Sequence, residues 1–203
     1  MEDWVRRALA KWPNVPALFG WLGLDRRGRW LIRGEVISRP QIIETINCNY
    51  AADEHGRWYF QNGPQRGYMQ LEYAPFVLRR PTTSDHLETH TGLPVSIVHR
   101  AALDEHGNLA LLTDQGAGLL AEGDLDWALQ RLRAGAAAVD EVMLAEALSM
   151  PGGSRTALSI EIAGSPIVVE RVDEQALPAA FGFDRDPRPR PGEGAGRSDE
   201  ATD

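Results

Sequence analysis

Three stretches of this chain share the pattern Asp-x-x-Gly followed by an apolar run. They are Asp25-Arg26-Arg27-Gly28 before Arg29-Trp30-Leu31-Ile32, Asp53-Glu54-His55-Gly56 before Arg57-Trp58-Tyr59-Phe60, and Asp104-Glu105-His106-Gly107 before Asn108-Leu109-Ala110-Leu111. The pattern restricts the backbone before any tertiary contact forms. An Asp at the first position of a type I turn accepts a backbone N–H from within the turn. A Gly in the left-handed region at the fourth position makes the bulge that returns the chain as a strand. Three copies therefore predict three β-hairpins, and turn chemistry accounts for both the Asp and the Gly without a ligand. A calcium loop needs several oxygen ligands at alternating positions, which Asp25, Asp53 and Asp104 in this pattern do not supply. His55 and His106 fall inside the turns and are expected at the surface.

The remaining pattern alternates strands with short helices. Residues 2–12 read as an amphipathic helix, with Trp4, Val5, Ala8, Leu9 and Trp12 on one stripe. Pro13 and Pro16 end it. Residues 18–37 are strand-like. Ser38 is a good N-cap, Pro40 stands near the first helical position, and Ile42, Ile43 and Ile46 give a helical stripe. Strands are expected over 57–61 and 66–73 about the turn Asn62-Gly63-Pro64-Gln65, with 76–79 continuing the sheet. A further hairpin spans 95–103 and 109–113, and glycine-rich 114–118 reads as loop. Asp124 begins a helix with Leu125, Ala128, Leu129 and Leu132 inside, ended by Gly135. A second helix covers 139–149, and a last hairpin is expected over 156–162 and 167–172.

These elements place the chain in the α+β class, as antiparallel hairpins in repeated units packed with a few helices. One domain is expected over 1–183, or two sub-units of about 1–92 and 93–183. From Asp184 onward the chain has no large apolar residue, so 184–203 is expected to be a disordered tail. The formal net charge of -8 disfavours nucleic acid as a partner. Arg26, Arg27, Arg29 and Arg33 cluster, but no stacking-aromatic motif for RNA accompanies them, and they read as a solvated hairpin face. No apolar run approaches the ~20 residues of a membrane span. The start of the chain lacks the apolar region of a signal peptide, and the single cysteine, Cys48, rules out an internal disulfide; a cytoplasmic location is the expectation.

The stretch Gly28-Arg29-Trp30, then Gly34-Glu35-Val36-Ile37, a helix, Asp53-Glu54-His55-Gly56, and Glu72-Tyr73-Ala74-Pro75-Phe76-Val77 resembles a family of uncharacterised proteobacterial proteins known as domain of unknown function 1285. The likeness covers roughly residues 18–132. It implies repeated β motifs packed with helices, and a role in ligand sensing or signal transduction has been suggested for that family. No catalytic residue comes with it.

Three constellations could carry chemistry. The central hairpin offers Trp58, Phe60, Gln61, Arg66, Tyr68 and Gln70: aromatics beside amides and an arginine, as small-molecule and protein sites are commonly lined. The segment His86-Leu87-Glu88-Thr89-His90 puts His86, Glu88 and His90 on one face if it is a strand, or His86 and His90 on one face if it is a helix. With His99 they could ligate zinc or iron, although the glutamate stands one place too late for the metalloprotease His-Glu-x-x-His pattern. The plainer reading is a polar strand or loop with exposed histidines. Cys48 lies at the wrong end of its helix for an activated thiol and reads as a small packed side chain. The expectation is a non-enzymatic regulatory module that binds a small molecule or a protein, with no cofactor required by the sequence. Homo-oligomerisation is open. A metal-dependent enzyme and an assembly or adaptor protein are the alternatives.

Overall fold

The computed structural model describes residues 17–82, 86–162 and 164–191. The helix expected over 2–12 lies outside the described residues. The chain is α+β and divides into two compact units. One draws on residues up to Asp25, Arg29–Glu72 and residues from Phe183; the other on Arg26–Gly28 and Tyr73–Gly182. A linear reading that places a boundary near residue 92 cannot see a unit completed by residues more than a hundred positions later.

The first unit is a six-stranded sheet in the order β3-β2-β1-β6-β5-β4. Its elements are β1 (Ala17–Leu24), β2 (Trp30–Ile32), β3 (Glu35–Val36), helix α1 (Pro40–Cys48), β4 (Tyr50–Ala52), β5 (Trp58–Asn62) and β6 (Gln65–Leu71). Hairpins make every pairing antiparallel except β1 with β6, which are parallel. Leu24, Trp30, Ile46 and Met69 are fully buried. The Trp30 indole N–H donates to Asn47 Oδ1 at 2.8 Å and so ties α1 to the sheet. The stripe expected on α1 is corrected: Ile46 is buried, while Ile42 is 41% exposed. The cap position belongs to Arg39 rather than Ser38 and makes no side-chain bond. Pro40 opens the helix at its first position, where the missing N–H removes one of the first turn's unpartnered donors. Cys48, expected to be packed, is exposed.

The second unit is a nine-stranded sheet in the order β13-β12-β14-β15-β9-β10-β11-β7-β8. The strands are β7 (Phe76–Arg79), β8 (Glu88–Thr89), β9 (Val98–Leu103), β10 (Leu109–Thr113), β11 (Gly116–Leu120), β12 (Leu132–Ala134), β13 (Ala137–Ala138), β14 (Ser154–Ile162) and β15 (Ser165–Arg171). The helices are α2 (Leu125–Leu129), α3 (Glu141–Ser149) and α4 (Leu177–Phe181). Leu78, Ala101, Ala102, Leu111, Ile160 and Val169 are wholly enclosed.

Two expectations change here. Residues 116–118 form a strand, not a loop. A Cβ on Gly118 would lie 2.6 Å from Leu78 Cγ, so the glycine is there to let β11 approach the β7 side chains. The helix begun near Asp124 is short and leaves Leu129 43% exposed. Gly135 then turns the hairpin β12–β13 instead of ending a helix, with φ of 62°. The second helix begins as expected, with Asp140 Oδ1 accepting the Met143 N–H at 2.8 Å.

A unit larger than the Asp-x-x-Gly turn also recurs. Short hairpin, helix and following strand appear as β2–β3–α1–β4 and again as β12–β13–α3–β14.

The expected tail from Asp184 is corrected as far as residue 191. The Asp184 N–H donates to Gly56 O at 2.9 Å, and the Leu71 N–H donates to Arg185 O at 2.8 Å. This segment is held by main-chain bonds and polar side chains, which a count of apolar residues does not register. Among the described residues no helix is long and apolar enough to cross a membrane.

Candidate functional site

The three Asp-x-x-Gly turns share one bonding scheme. Oδ1 of Asp25, Asp53 and Asp104 accepts the main-chain N–H four residues on, at 2.8, 3.0 and 2.9 Å. Oδ2 accepts the side chain of that same residue: Arg29 Nε at 2.6 Å, Arg57 Nε at 2.8 Å and Asn108 Nδ2 at 2.7 Å. The motif is thus five residues long, and its last member is a donor. The sequence held that signal, since Arg29, Arg57 and Asn108 each follow the glycine.

At the central hairpin the register separates the candidate residues. Tyr59 pairs with Tyr68 and Gln61 with Arg66. Side chains alternate along a strand. Tyr59, Gln61, Arg66, Tyr68 and Gln70 therefore share one face, and Trp58 and Phe60 take the other. The first face is bonded within itself. Tyr68 Oη donates to Asp53 Oδ2 at 3.2 Å and accepts from Arg57 Nη2 at 3.2 Å. Phe19 stacks on the Tyr68 ring with centroids 4.5 Å apart. Gln61 is completely buried; its amide donates to Gly63 O and Gln65 O, and its Oε1 accepts Arg66 Nε at 3.2 Å. Arg66 lies over the Tyr59 ring at 4.5 Å. Gln70 donates to Asp186 Oδ1 at 2.9 Å, and Arg57 Nη1 to Arg188 O at 3.2 Å, so the 184–191 segment takes up two more donors.

Electrostatics follow the bonding. Burial raises the Asp53 carboxyl, but the Arg57 guanidinium and the turn N–H groups outweigh it and hold the group below the usual carboxylate value. Burial pushes the Tyr68 hydroxyl up.

The histidine segment is not gathered as a ligand set. His86 and His99 are exposed, and Glu88 and His90 are half-buried. His90 Nδ1 accepts the Val77 N–H at 3.2 Å while its ring lies against Phe76. Among the described residues no three His, Cys, Asp or Glu side chains stand together as a metal site.

His86 and Glu88 instead line a groove of about 1060 Å³ within the second unit. Its walls come from β8 and the turn after it, including Pro94 and Val95, and from Trp127 of α2, Arg131, Arg133 of β12 and Glu161 of β14. β8 stands at one end of the strand order and β12 and β14 near the other, so the sheet curls until its ends face each other across the groove. Arg131 sits 4.3 Å from the Trp127 ring, giving that wall a cationic, planar surface. Arg133 holds its Nη1 on the carbonyls of Gln130 and Leu132, both at 2.8 Å. Arg131 and Glu161 stand opposite each other where β12 meets β14, joined by the Glu161 N–H to Arg131 O. Sequence reasoning reached His86 and Glu88 but missed Trp127, Arg131, Arg133 and Glu161. They are separated from the first pair by more than thirty residues, and no motif links them.

A family model described as "Protein of unknown function (DUF2946)", under the name DUF2944, matches residues 1–188. No curated protein matches the sequence. A crystal structure of a DUF1285 family protein from Silicibacter pomeroyi aligns over 83% of this chain and 88% of its own, with a TM-score of 0.50 and 16% identity. A DUF1285 family protein from Shewanella baltica aligns over 51% of this chain and 86% of its own, with a TM-score of 0.40 and 13% identity. The first likeness agrees with the fold that the resemblance implied.

Proposed function

The chain belongs to the DUF2944 family, of unknown function, and for this member we propose a non-enzymatic regulatory or signalling module whose ligand lies in the groove of the second unit. The observation that carries this reading is the groove itself: about 1060 Å³, lined by charged side chains beside Trp127, Pro94 and Val95. A cavity of that size is ample for a small molecule or a short peptide segment. The central hairpin face, by contrast, spends its polar groups on internal partners. The groove presents Arg131 and Arg133 beside Glu88 and Glu161, so a ligand bearing both a positive and a negative group fits its charges. The lone exposed cysteine accords with a reducing, cytoplasmic setting.

The test is a thermal-shift screen of the full chain against charged small molecules and short peptides, repeated with Arg133→Glu and Glu161→Lys. Both side chains are exposed, so each variant keeps the fold. Compounds that raise the melting temperature of the wild type and fail to do so in one or both variants support the reading. Stabilising compounds whose effect neither substitution alters argue against it.

A further inference from the structure

A second cavity, of about 430 Å³, lies wholly within the first unit. Its lining runs along β1 from Gly20 to Leu24, takes in Leu31, Arg33 and Gly34 of the β2–β3 hairpin, and ends on Gln70 and Glu72 on the β6 side. We propose that this cavity binds a planar aromatic carboxylate, its ring on the glycine floor beside Leu31 and its carboxylate on the edge of the Arg33 guanidinium.

Three independent observations converge there. Arg33 has φ of 50°, a conformation no other non-glycine among the described residues adopts at positive φ. A residue with a Cβ is strained in this left-handed region. With Gly34 at φ 82°, the two residues form a hairpin turn of the kind that favours Asn-Gly. Here a long charged side chain stands where that turn favours Asn.

The second observation is where the side chain goes. The Arg33 guanidinium lies 3.7 Å from the centroid of the Trp21 ring, and the Arg33 N–H donates to Trp21 O at 2.7 Å. Stacking uses the flat face of the guanidinium. Its N–H edge has no carboxylate or carbonyl acceptor among the described residues, and that edge matches a carboxylate with two parallel hydrogen bonds. Arg33 is exposed, in keeping with the sequence reading of a solvated face, and turns one flat side to Trp21.

The third is the floor. Strand β1 pairs Leu18 with Gly67 and Leu22 with Met69, so residues 19–21 oppose one residue of β6. This bulge re-aims the strand. Gly20, within it, has φ of 73°, and a Cβ built on it meets nothing within 4 Å; the same holds for Gly34. Gly23 lies close under the Gln70 carbonyl, where a Cβ would stand 3.3 Å away. A flat ring can lie directly on such a backbone. Leu31 adds an apolar side. Glu72 repels the acid group and so directs it toward Arg33.

The experiment titrates isotope-labelled full-length chain with 2-naphthoate, following the Gly20 and Gly23 amides and the Trp21 indole N–H by NMR. 2-Naphthylmethanol, which keeps the ring and lacks the charge, is the control. Saturable shifts at those three residues are expected, with the alcohol weaker by about tenfold or more. The Arg33→Asn variant puts Asn-Gly in the turn. It is expected to melt at or above the wild-type temperature while its affinity for 2-naphthoate falls by about tenfold or more, a loss that a purely structural Arg33 would not cause. Absence of saturable shifts at these residues in the wild type overturns the proposal. So does equal binding of acid and alcohol, or undiminished affinity in Arg33→Asn.

Discussion

The hairpins at Asp53 and Asp104 use one turn in two ways. In both, the carboxylate takes the N–H two and four residues on, and in both a tyrosine hydroxyl reaches Oδ2: Tyr68 at 3.2 Å in the first unit, Tyr73 at 2.9 Å in the second. They differ at the fifth position. Arg57 brings a charge and extra donors to Asp53, with side chains only 4% and 9% exposed. Asn108 brings a neutral amide to Asp104, itself 1% exposed. The guanidinium reaches beyond the turn to the Tyr68 hydroxyl and the Arg188 carbonyl; the amide has no such reach. The comparison teaches that a repeated motif can fix a turn identically while a single side chain decides how far the surrounding network extends.

The largest expected effect is at Arg57. Arg57→Ala leaves Asp53 without its buried counter-ion and should cost about 3–5 kcal/mol in urea unfolding. Asn108→Ala removes one bond to a carboxylate that keeps its other donors, and should cost about 1–3 kcal/mol. Equal losses would break the comparison. Tyr73→Phe comes next, at about 1.5–3 kcal/mol, because its hydroxyl serves a fully buried carboxylate. Tyr68→Phe should cost less, about 1 kcal/mol, since Arg57 still pairs with Asp53.

Acid separates Asp53 from its amide analogue. Its folded pKa lies below the ordinary 3.8. A depressed pKa contributes stability that is fully present above the unfolded value and lost as pH falls through the folded one. The stability gap between wild type and Asp53→Asn, followed by denaturant midpoint, should therefore hold constant above pH 5 and shrink below about 3.8. A gap that widened in acid would contradict the bonding described. The smallest effect belongs to α1: Ile42→Asn, at a position 41% exposed, should change stability by no more than about 0.5 kcal/mol.

Much of the fold was legible because its signals are local. The turn at Asp25 and the proline opening α1 each follow from adjacent residues. What failed depended on distant neighbours. Gly116 and Gly118 read as loop because nothing nearby announces that β7 needs room for Leu78. Leu125, Leu129 and Leu132 read as one helical stripe, yet Leu132 begins a strand paired with Ile160. The central hairpin drew attention for its aromatics and amides, but only the register shows that Trp58 and Phe60 face away from Tyr68. The groove combines residues 86–88 and 94–96 with 127, 130, 131 and 133 and with 161, 162 and 164, a set no spacing rule selects.

The most direct test of the account maps small organic fragments onto labelled full-length chain by amide and indole shifts. The account predicts a dominant cluster of shifts at residues 86–88, 95, 96, 127, 130, 131, 133, 161, 162 and 164, with the Trp127 indole among the strongest. The face carrying Tyr59, Gln61 and Tyr68 should be silent. Dominant shifts on that hairpin face, with the groove unperturbed, would contradict it.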